Sequence, residues 1–346
     1  MDKYQKSTVL GHGTFGSVYK AIHKETGQVV AIKKINVGGS NQGIDMTSLR
    51  EIKLLKELRS PWIVRLLDVF PHKRKLTMVF EFMDSDLEAL IKAKGIVLSP
   101  ANIKAYMQLL LRALDHCHTH WVVHRDIKPN NMLVDGHGGF KLADFGLARV
   151  YGSPDVRLTS QVFARWYRPP ELLFGSTCYG GSIDIWAAGC VFAELILRRP
   201  WLPGNTDIDQ LGKIFQALGT PTPEVWPGVG ALPNYVEFQK VAPPPLRQQF
   251  PQASEDALSL LAQMVSLDPS KRPTAAEALA HPYFQNAPPP TPPEQLPKPP
   301  LREDNPLQGP QGMKPVVKAA AAAPADGARP AKQRRLDAAG TASPAS

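Results

Sequence analysis

The segment HRDIKPNN at 124–131 and the tripeptide DFG at 144–146 place two carboxylates, an amide and an ammonium close together in the chain. Asp126 can accept the proton of an attacking hydroxyl. Asn131 and Asp144 offer hard oxygen ligands for divalent cations, and Lys128, two residues after Asp126, can steady a transferred phosphoryl group. That is the equipment of phosphoryl transfer. Either motif alone could be a pair of ordinary loop carboxylates. Both, in this order and 18 residues apart, weigh against that reading.

Residues further upstream supply the nucleotide side. GHGTFGSV at 11–18 is glycine-rich, with Gly11, Gly13 and Gly16. A GxGxxG run also opens dinucleotide-binding folds, but there it leads into a helix. Here 18–22 and 29–33 read as two strands around a Lys24–Gly27 turn, a hairpin that lets backbone N–H groups approach phosphates. Lys33 closes the run VAIK and suits the α/β-phosphates. Its expected partner is Glu51, in the amphipathic segment 47–58. The plain alternative is two solvated surface charges.

Composition sets the outer bounds. The 346-residue chain is 43% hydrophobic, enough for a large core. No apolar run reaches the ~18 residues of a spanning helix, and MDKYQKS lacks the apolar centre of a signal peptide, so a membrane partner is not expected. Cys117, Cys178 and Cys190 have no disulfide-framework spacing, which suits a reducing compartment. DHCHTH at 115–120 has metal-binding residue types without zinc-type spacing. It ends a predicted helix with apolar Ile103, Met107, Leu110, Leu111 and Leu114. The net charge of +9 is spread, with eight Lys/Arg against five Asp/Glu in 287–346 (+3) and 32 against 26 before it (+6). Without aromatic–basic interleaving, direct nucleic-acid readout is not indicated.

The predicted class is α+β, with a small antiparallel sheet and one helix in 1–83, a helix-rich part in 84–286, and a hinge at Glu81–Asp84 with Phe80 behind it. Fourteen of the 34 prolines lie in 287–346, with an Ala run at 319–323, a composition expected to be disordered. The cluster Lys332–Arg335 is a solvated charge run or a short import signal.

Together these motifs resemble the protein-kinase family over roughly residues 4–284. The resemblance implies a bilobal kinase fold with ATP and Mg2+. ATP would lie against Leu10, Gly11, His12, Gly13, Thr14, Phe15, Gly16, Ser17, Val18, Ala31, Lys33, Phe80, Glu81, Met83, Asp86, Leu133 and Asp144. Metal would be held by Asn131 and Asp144. Pro169-Pro170-Glu171 stands where the family has Ala-Pro-Glu, with Glu171 paired to Arg272, and Asp184 is expected to brace the catalytic loop.

Within that family, WYRPPELLFG at 166–175 looks like the cyclin-dependent kinases, where Arg168 would support a pocket for proline after the target residue. SLREIKLL at 48–55, GSP at 152–154, LTSQVFARWYR at 158–168 and IDQLGKIFQALGTPTPEVWP at 208–227 are similar to the activating branch, in wording nearest its plant and algal D-type members. Lys128 indicates serine/threonine specificity. The branch implies a cyclin of the H type, a RING-finger assembly factor and the TFIIH core as partners. Its substrates would be other cyclin-dependent kinases and the RNA polymerase II tail, and its compartment the nucleus, with the cytoplasm second. Another cyclin-dependent branch, or a cyclin-binding pseudokinase scaffold, is the alternative. Thr159-Ser160-Gln161 does not match the Thr-x-Tyr of MAP kinases.

The same resemblance places regulatory phosphosites at Thr159 and at Ser153, which precedes Pro154. It also implies a phosphate clamp of Arg50, Arg125 and Arg149. Two departures stand out. Phe15 replaces a modifiable tyrosine, and Ala164 replaces the threonine that usually bonds the catalytic Asp and Lys.

Overall fold

The structure is a computed structural model that describes residues 3–13, 16–36, 46–72, 75–153 and 157–299, without the side chains of residues 12, 13, 16 and 36. Thr14, Phe15, Pro154, the cluster 332–335 and the rest of 300–346 lie outside the described residues.

Five antiparallel strands form the first sheet: β1 (Tyr4–Gly13), β2 (Gly16–His23), β3 (Val29–Asn36), β4 (Leu66–His72) and β5 (Lys75–Glu81), in the spatial order β1-β2-β3-β5-β4. The expected hairpin is present, with Val18 opposite Lys33. Alternation along β3 sends Val30 and Ile32 to one face, where they join Tyr4, Ala21 and Val79 in a small core. Lys33 faces the other way, towards α1 (Met46–Glu57). On α1, Glu51, Leu54 and Leu55, continued by Leu58 just past its end, form a buried stripe at i, i+3, i+4 and i+7. A carboxylate on an apolar stripe must find a cation, and that dictates the Lys33 pair.

After a short strand β6 (Ser85–Asp86) the chain becomes mostly helical: α2 (Leu87–Lys92), then α3 (Pro100–Thr119). Ser99 and Asn102 form a capping box and Pro100 occupies the first turn, so α3 starts where its sequence dictates. The catalytic segments follow on small pieces of sheet: β7 (Val122–Val123) pairs with β10 (Arg149–Val150), and β8 (Met132–Val134) pairs with β6 and with β9 (Phe140–Leu142). Beyond them come α4 (Pro170–Leu173), α5 (Ser182–Leu197), α6 (Asp207–Leu218), α7 (Leu246–Gln249), α8 (Glu255–Met264), α9 (Ala275–Leu279) and α10 (Pro282–Gln285). Helix α5 is buried from Ile183 to Leu195 and is the centre of the large core. None of the described helices is long and apolar enough to cross a membrane.

One expectation needs correction. Residues 287–299, read from composition as part of a disordered tail, pack onto the helical part. The Lys104 ammonium donates to the carbonyls of Asn286 and Pro288 (2.7 Å each) and lies over the Tyr283 ring. Asn102 donates to the Thr291 hydroxyl and Thr291 N–H to the Ala101 carbonyl. Leu296 is buried. The segment passes so close to the β8–β9 turn that a Cβ at Gly138 would fall 1.6 Å from the Pro293 carbonyl oxygen. Proline-rich chain has no ladder of its own and few N–H groups to satisfy, so donors on a ready-made surface, the Lys104 ammonium above all, can take its carbonyls.

Candidate active site

Asp126 is 5% exposed. Its Oδ2 accepts from Lys128 Nζ at 2.8 Å and from Asn131 Nδ2 at 3.0 Å, while Asn131 Nδ2 also bonds the Asp126 carbonyl at 2.8 Å. Three residues of the HRDIKPNN motif are thereby locked around one carboxylate. Its other oxygen, Oδ1, is buried and has no hydrogen-bond partner among the described residues. The Phe163 N–H bonds the Arg125 carbonyl, which ties the residue before Ala164 to the residue before Asp126. The methyl group of Ala164 cannot supply the hydroxyl that a threonine would. Lys128 and Asn131 nevertheless hold the carboxylate in place.

The backbone of the loop is fixed from beneath. Asp184 of α5, fully buried, accepts from the backbone N–H groups of His124 (2.8 Å) and Arg125 (2.9 Å) and contacts His118 Nε2 at 3.0 Å. Burial alone would raise the Asp184 carboxyl, but the His118 hydrogen bond and these donors hold it below the ordinary range. Arg125 takes a positive φ of 67°, Asp144 of 63° and Phe163 of 64°. Three non-glycine residues in the left-handed region, all bordering one carboxylate pair, mark conformations imposed by their surroundings.

Opposite, Lys33 Nζ lies 2.8 and 3.1 Å from Glu51 and 3.2 Å from Asp144. The chain Glu51–Lys33–Asp144 joins α1, β3 and the DFG turn in one ionic contact. Burial depresses the Lys33 ammonium, yet the Asp144 and Glu51 charges outweigh it and raise its pKa. Burial pushes the Asp126 carboxyl up, reinforced by the charge of Asp144 and opposed by Lys128. For Asp144, burial is outweighed by Lys33 and Lys128, and its carboxyl is lowered. Two carboxylates driven in opposite directions suit a base and a permanently charged metal ligand. Phe145 is fully buried, edge-on to His124 at 4.8 Å, which turns Asp144 towards Lys33.

The Asn131 amide nitrogen is spent on Asp126, and the Asp144 side chain is 40% exposed. The Ala143 N–H bonds the Asn131 carbonyl, so the two lie side by side. An amide oxygen with a carboxylate is a hard-oxygen pair of the kind that holds Mg2+ when substrate phosphates complete the shell. No cluster of three His, Cys, Asp or Glu occurs among the described residues, DHCHTH included. There, His118 serves Asp184 and Cys117 is buried core.

Of the residues expected against ATP, Leu10, Val18, Ala31, Phe80, Met83 and Leu133 are all partly or fully buried. Ala31 faces Phe80 across β3–β5, and Leu133 faces Asp86 across β6–β8. A Cβ at Gly11 would meet nothing within 4 Å among the described residues. Glu81 directs its carboxylate to the Arg65 N–H (2.7 Å) and to Lys141 (3.2 Å), leaving only its backbone for a ligand. Asp86 caps α2 by accepting from the Ala89 N–H at 2.9 Å.

Of the arginines expected to clamp a phosphate, Arg125 reaches Thr159 indirectly, through Tyr179. Arg50 has a buried Nη1 without a hydrogen-bond partner among the described residues. Arg149 bonds the Ala148 carbonyl. Thr159 and Ser153 are exposed. Arg168 is buried, donating to the carbonyls of Val162 (2.7 Å) and Phe163 (3.2 Å). Glu171 and Arg272 form the expected bidentate pair at 2.6 and 2.8 Å. Tyr179 was not foreseen. Its only signal in the sequence is a lone tyrosine in a polar, glycine-rich stretch after PELLFG.

With this geometry, residues 4–284 match the family model described as protein kinase domain, and the chain belongs to that family. It is a serine/threonine protein kinase of the cyclin-dependent kind. The chain is 58% identical over 304 residues to cyclin-dependent kinase D-1 of Oryza sativa subsp. japonica, covering 88% of this chain and 72% of that one. It is 52% identical over 300 residues to cyclin-dependent kinase 7 of Xenopus laevis, covering 86% and 85%. Among solved structures, it resembles a chain in the CAK complex from Chaetomium thermophilum bound to ATP-gamma-S, with a TM-score of 0.81 and 44% identity over 86% of this chain and 95% of that one.

Proposed function

We propose that this kinase is the catalytic subunit of a CDK-activating assembly that phosphorylates the activation segments of other cyclin-dependent kinases and the Ser-Pro-rich tail of RNA polymerase II. The likeness to the D-type and type 7 relatives and to the CAK complex supports this reading. An H-type cyclin, a RING-finger assembly factor and the TFIIH core are the partners it calls for, and the nucleus its place of work.

The observation that carries catalytic competence is the unbroken contact Glu51–Lys33–Asp144 facing Asp126–Lys128–Asn131. A scaffold without chemistry has no need of either. Asp126 takes the proton as the acceptor hydroxyl attacks the γ-phosphorus and the bond to the leaving ADP oxygen breaks. Lys128 offsets charge on the phosphoryl oxygens, and Lys33 holds the α/β-phosphates. Mg2+, held by Asn131 and Asp144, supplies charge neutralisation when bound. Arg168 shapes the pocket for proline after the target residue.

A decisive experiment purifies the complex from cells, identifies its subunits by mass spectrometry, and assays it on a polymerase-tail peptide and on an inactive cyclin-dependent kinase. Asp126→Asn abolishes both signals. Undiminished phosphorylation by that variant would remove the assignment of the base, and absence of a cyclin would remove the assembly.

A further inference from the structure

Tyr179 lies on the loop after α4, and its hydroxyl stands between two parts of the machinery. It accepts from Arg125 Nη1 at 2.8 Å and donates to the Thr159 carbonyl at 2.5 Å. Arg125 is itself 1% exposed and anchored by Nε to the Leu147 carbonyl at 2.7 Å. The Leu158 N–H bonds the Thr177 carbonyl at 2.9 Å, so the activation segment and the Tyr179 loop run side by side. A phenol is well suited to this place. It can take a hydrogen bond from a guanidinium and pass one to a carbonyl at once, and each bond polarises the other. The residue whose carbonyl it holds is the expected phosphosite, and the arginine it holds is a member of the expected clamp.

We propose that Tyr179 is a positioning residue that ties the activation segment to the catalytic-loop arginine while Thr159 carries no phosphate. It keeps the segment in a substrate-ready path before modification. The phosphate, once present, offers Arg125 a stronger acceptor and makes the phenol redundant. Because the tie uses the backbone of residue 159, it survives in a chain whose Thr159 side chain is altered. This inference rests on the phosphate-clamp reading of Arg50, Arg125 and Arg149.

The test uses full-length kinase in its purified complex, in a phosphatase-treated form and a Thr159-phosphorylated form verified by mass spectrometry. Tyr179→Phe keeps the ring and removes the hydroxyl. A hydrogen bond to a charged group corresponds to roughly a tenfold effect or more, so kcat/KM for a Ser-Pro peptide is expected to fall about tenfold in the unphosphorylated form. In the phosphorylated form it should change by less than about threefold, the tie being redundant there. Amide exchange over 157–165 of the unphosphorylated kinase should accelerate in the variant, a readout that stands even where yield is too low for kinetics. An equal loss in both forms would make Tyr179 a general packing residue and overturn the proposal. So would unchanged kinetics in the unphosphorylated form, or unchanged exchange. A wild type whose two forms turn over equally would instead remove the clamp reading, while the Tyr179→Phe loss in the unphosphorylated form still decides the tie.

Discussion

The Glu171–Arg272 pair fastens the end of the activation segment to the helical core, and removing one half of it should be costly. The Arg272 side chain is 0% exposed and that of Glu171 4%, with N···O distances of 2.6 and 2.8 Å. Arg272 also bonds the Ser266 carbonyl and lies 4.9 Å over the Trp186 ring. Arg272→Met keeps much of the volume but leaves the Glu171 carboxylate buried and unpaired. At an effective dielectric near 20 and about 4 Å between charges, the lost attraction is about 4 kcal/mol, within the ~3–5 kcal/mol typical of half-broken buried pairs. For a domain near 300 residues, about 2 °C of Tm accompanies each kcal/mol, so calorimetry should show a drop of roughly 6–10 °C. The double variant Glu171→Leu/Arg272→Met removes both charges and should recover more than half of that loss. A single variant melting within about 2 °C of wild type would refute the reasoning, and so would a double variant no better than the single one.

Other outcomes follow from the same contacts. Burial pushes the Glu194 carboxyl up to about 6, against the hydrogen bond from Tyr167. An acid raised on folding stabilises the fold as it protonates. Stability should therefore rise as pH falls from 7.5 through 6 and level off near 4.5, by about 2 kcal/mol. Glu194→Gln should flatten that part of a Tm-against-pH plot. Ala164→Thr supplies the hydroxyl that the family pattern has at this position, a candidate donor for the Asp126 Oδ1 that has no partner among the described residues, and is expected to raise kcat about two- to tenfold with KM unchanged. A tenfold fall in steady-state turnover would show that the space is already used. Lys104→Met removes the ammonium that holds 286–288, so limited proteolysis should cut after Asn286 several times faster, with the kinase core intact.

Much of the site is legible in the sequence because short motifs carry it. Lys33 and Glu51 meet because VAIK lies on an edge-matched hairpin and the Glu51 position falls on a helical apolar stripe. Asp126, Lys128 and Asn131 meet because five residues of one loop cannot avoid one another. Asp184 and the Glu171–Arg272 pair follow from the family pattern. Tyr179 escapes notice because its contacts lie 54 residues away at Arg125 and 20 away at Thr159, and neither periodicity nor spacing encodes them. The segment 287–299 is misread for a different reason. Composition reports whether a stretch can form a core of its own, not whether Lys104 and Asn102 stand ready to receive it.

The carboxylate of Asp184 has a consequence for the order in which the enzyme is made. It belongs to α5, whose residues from Ile183 to Leu195 are all buried, yet it fixes the backbone at His124 and Arg125. The loop that carries Asp126, proposed above as the base, can therefore take its observed geometry only after that helix has docked. A nascent chain at the ribosome cannot have a functioning catalytic loop until residues some 60 positions further on have emerged and packed. The chemistry is thereby withheld from every partly folded form.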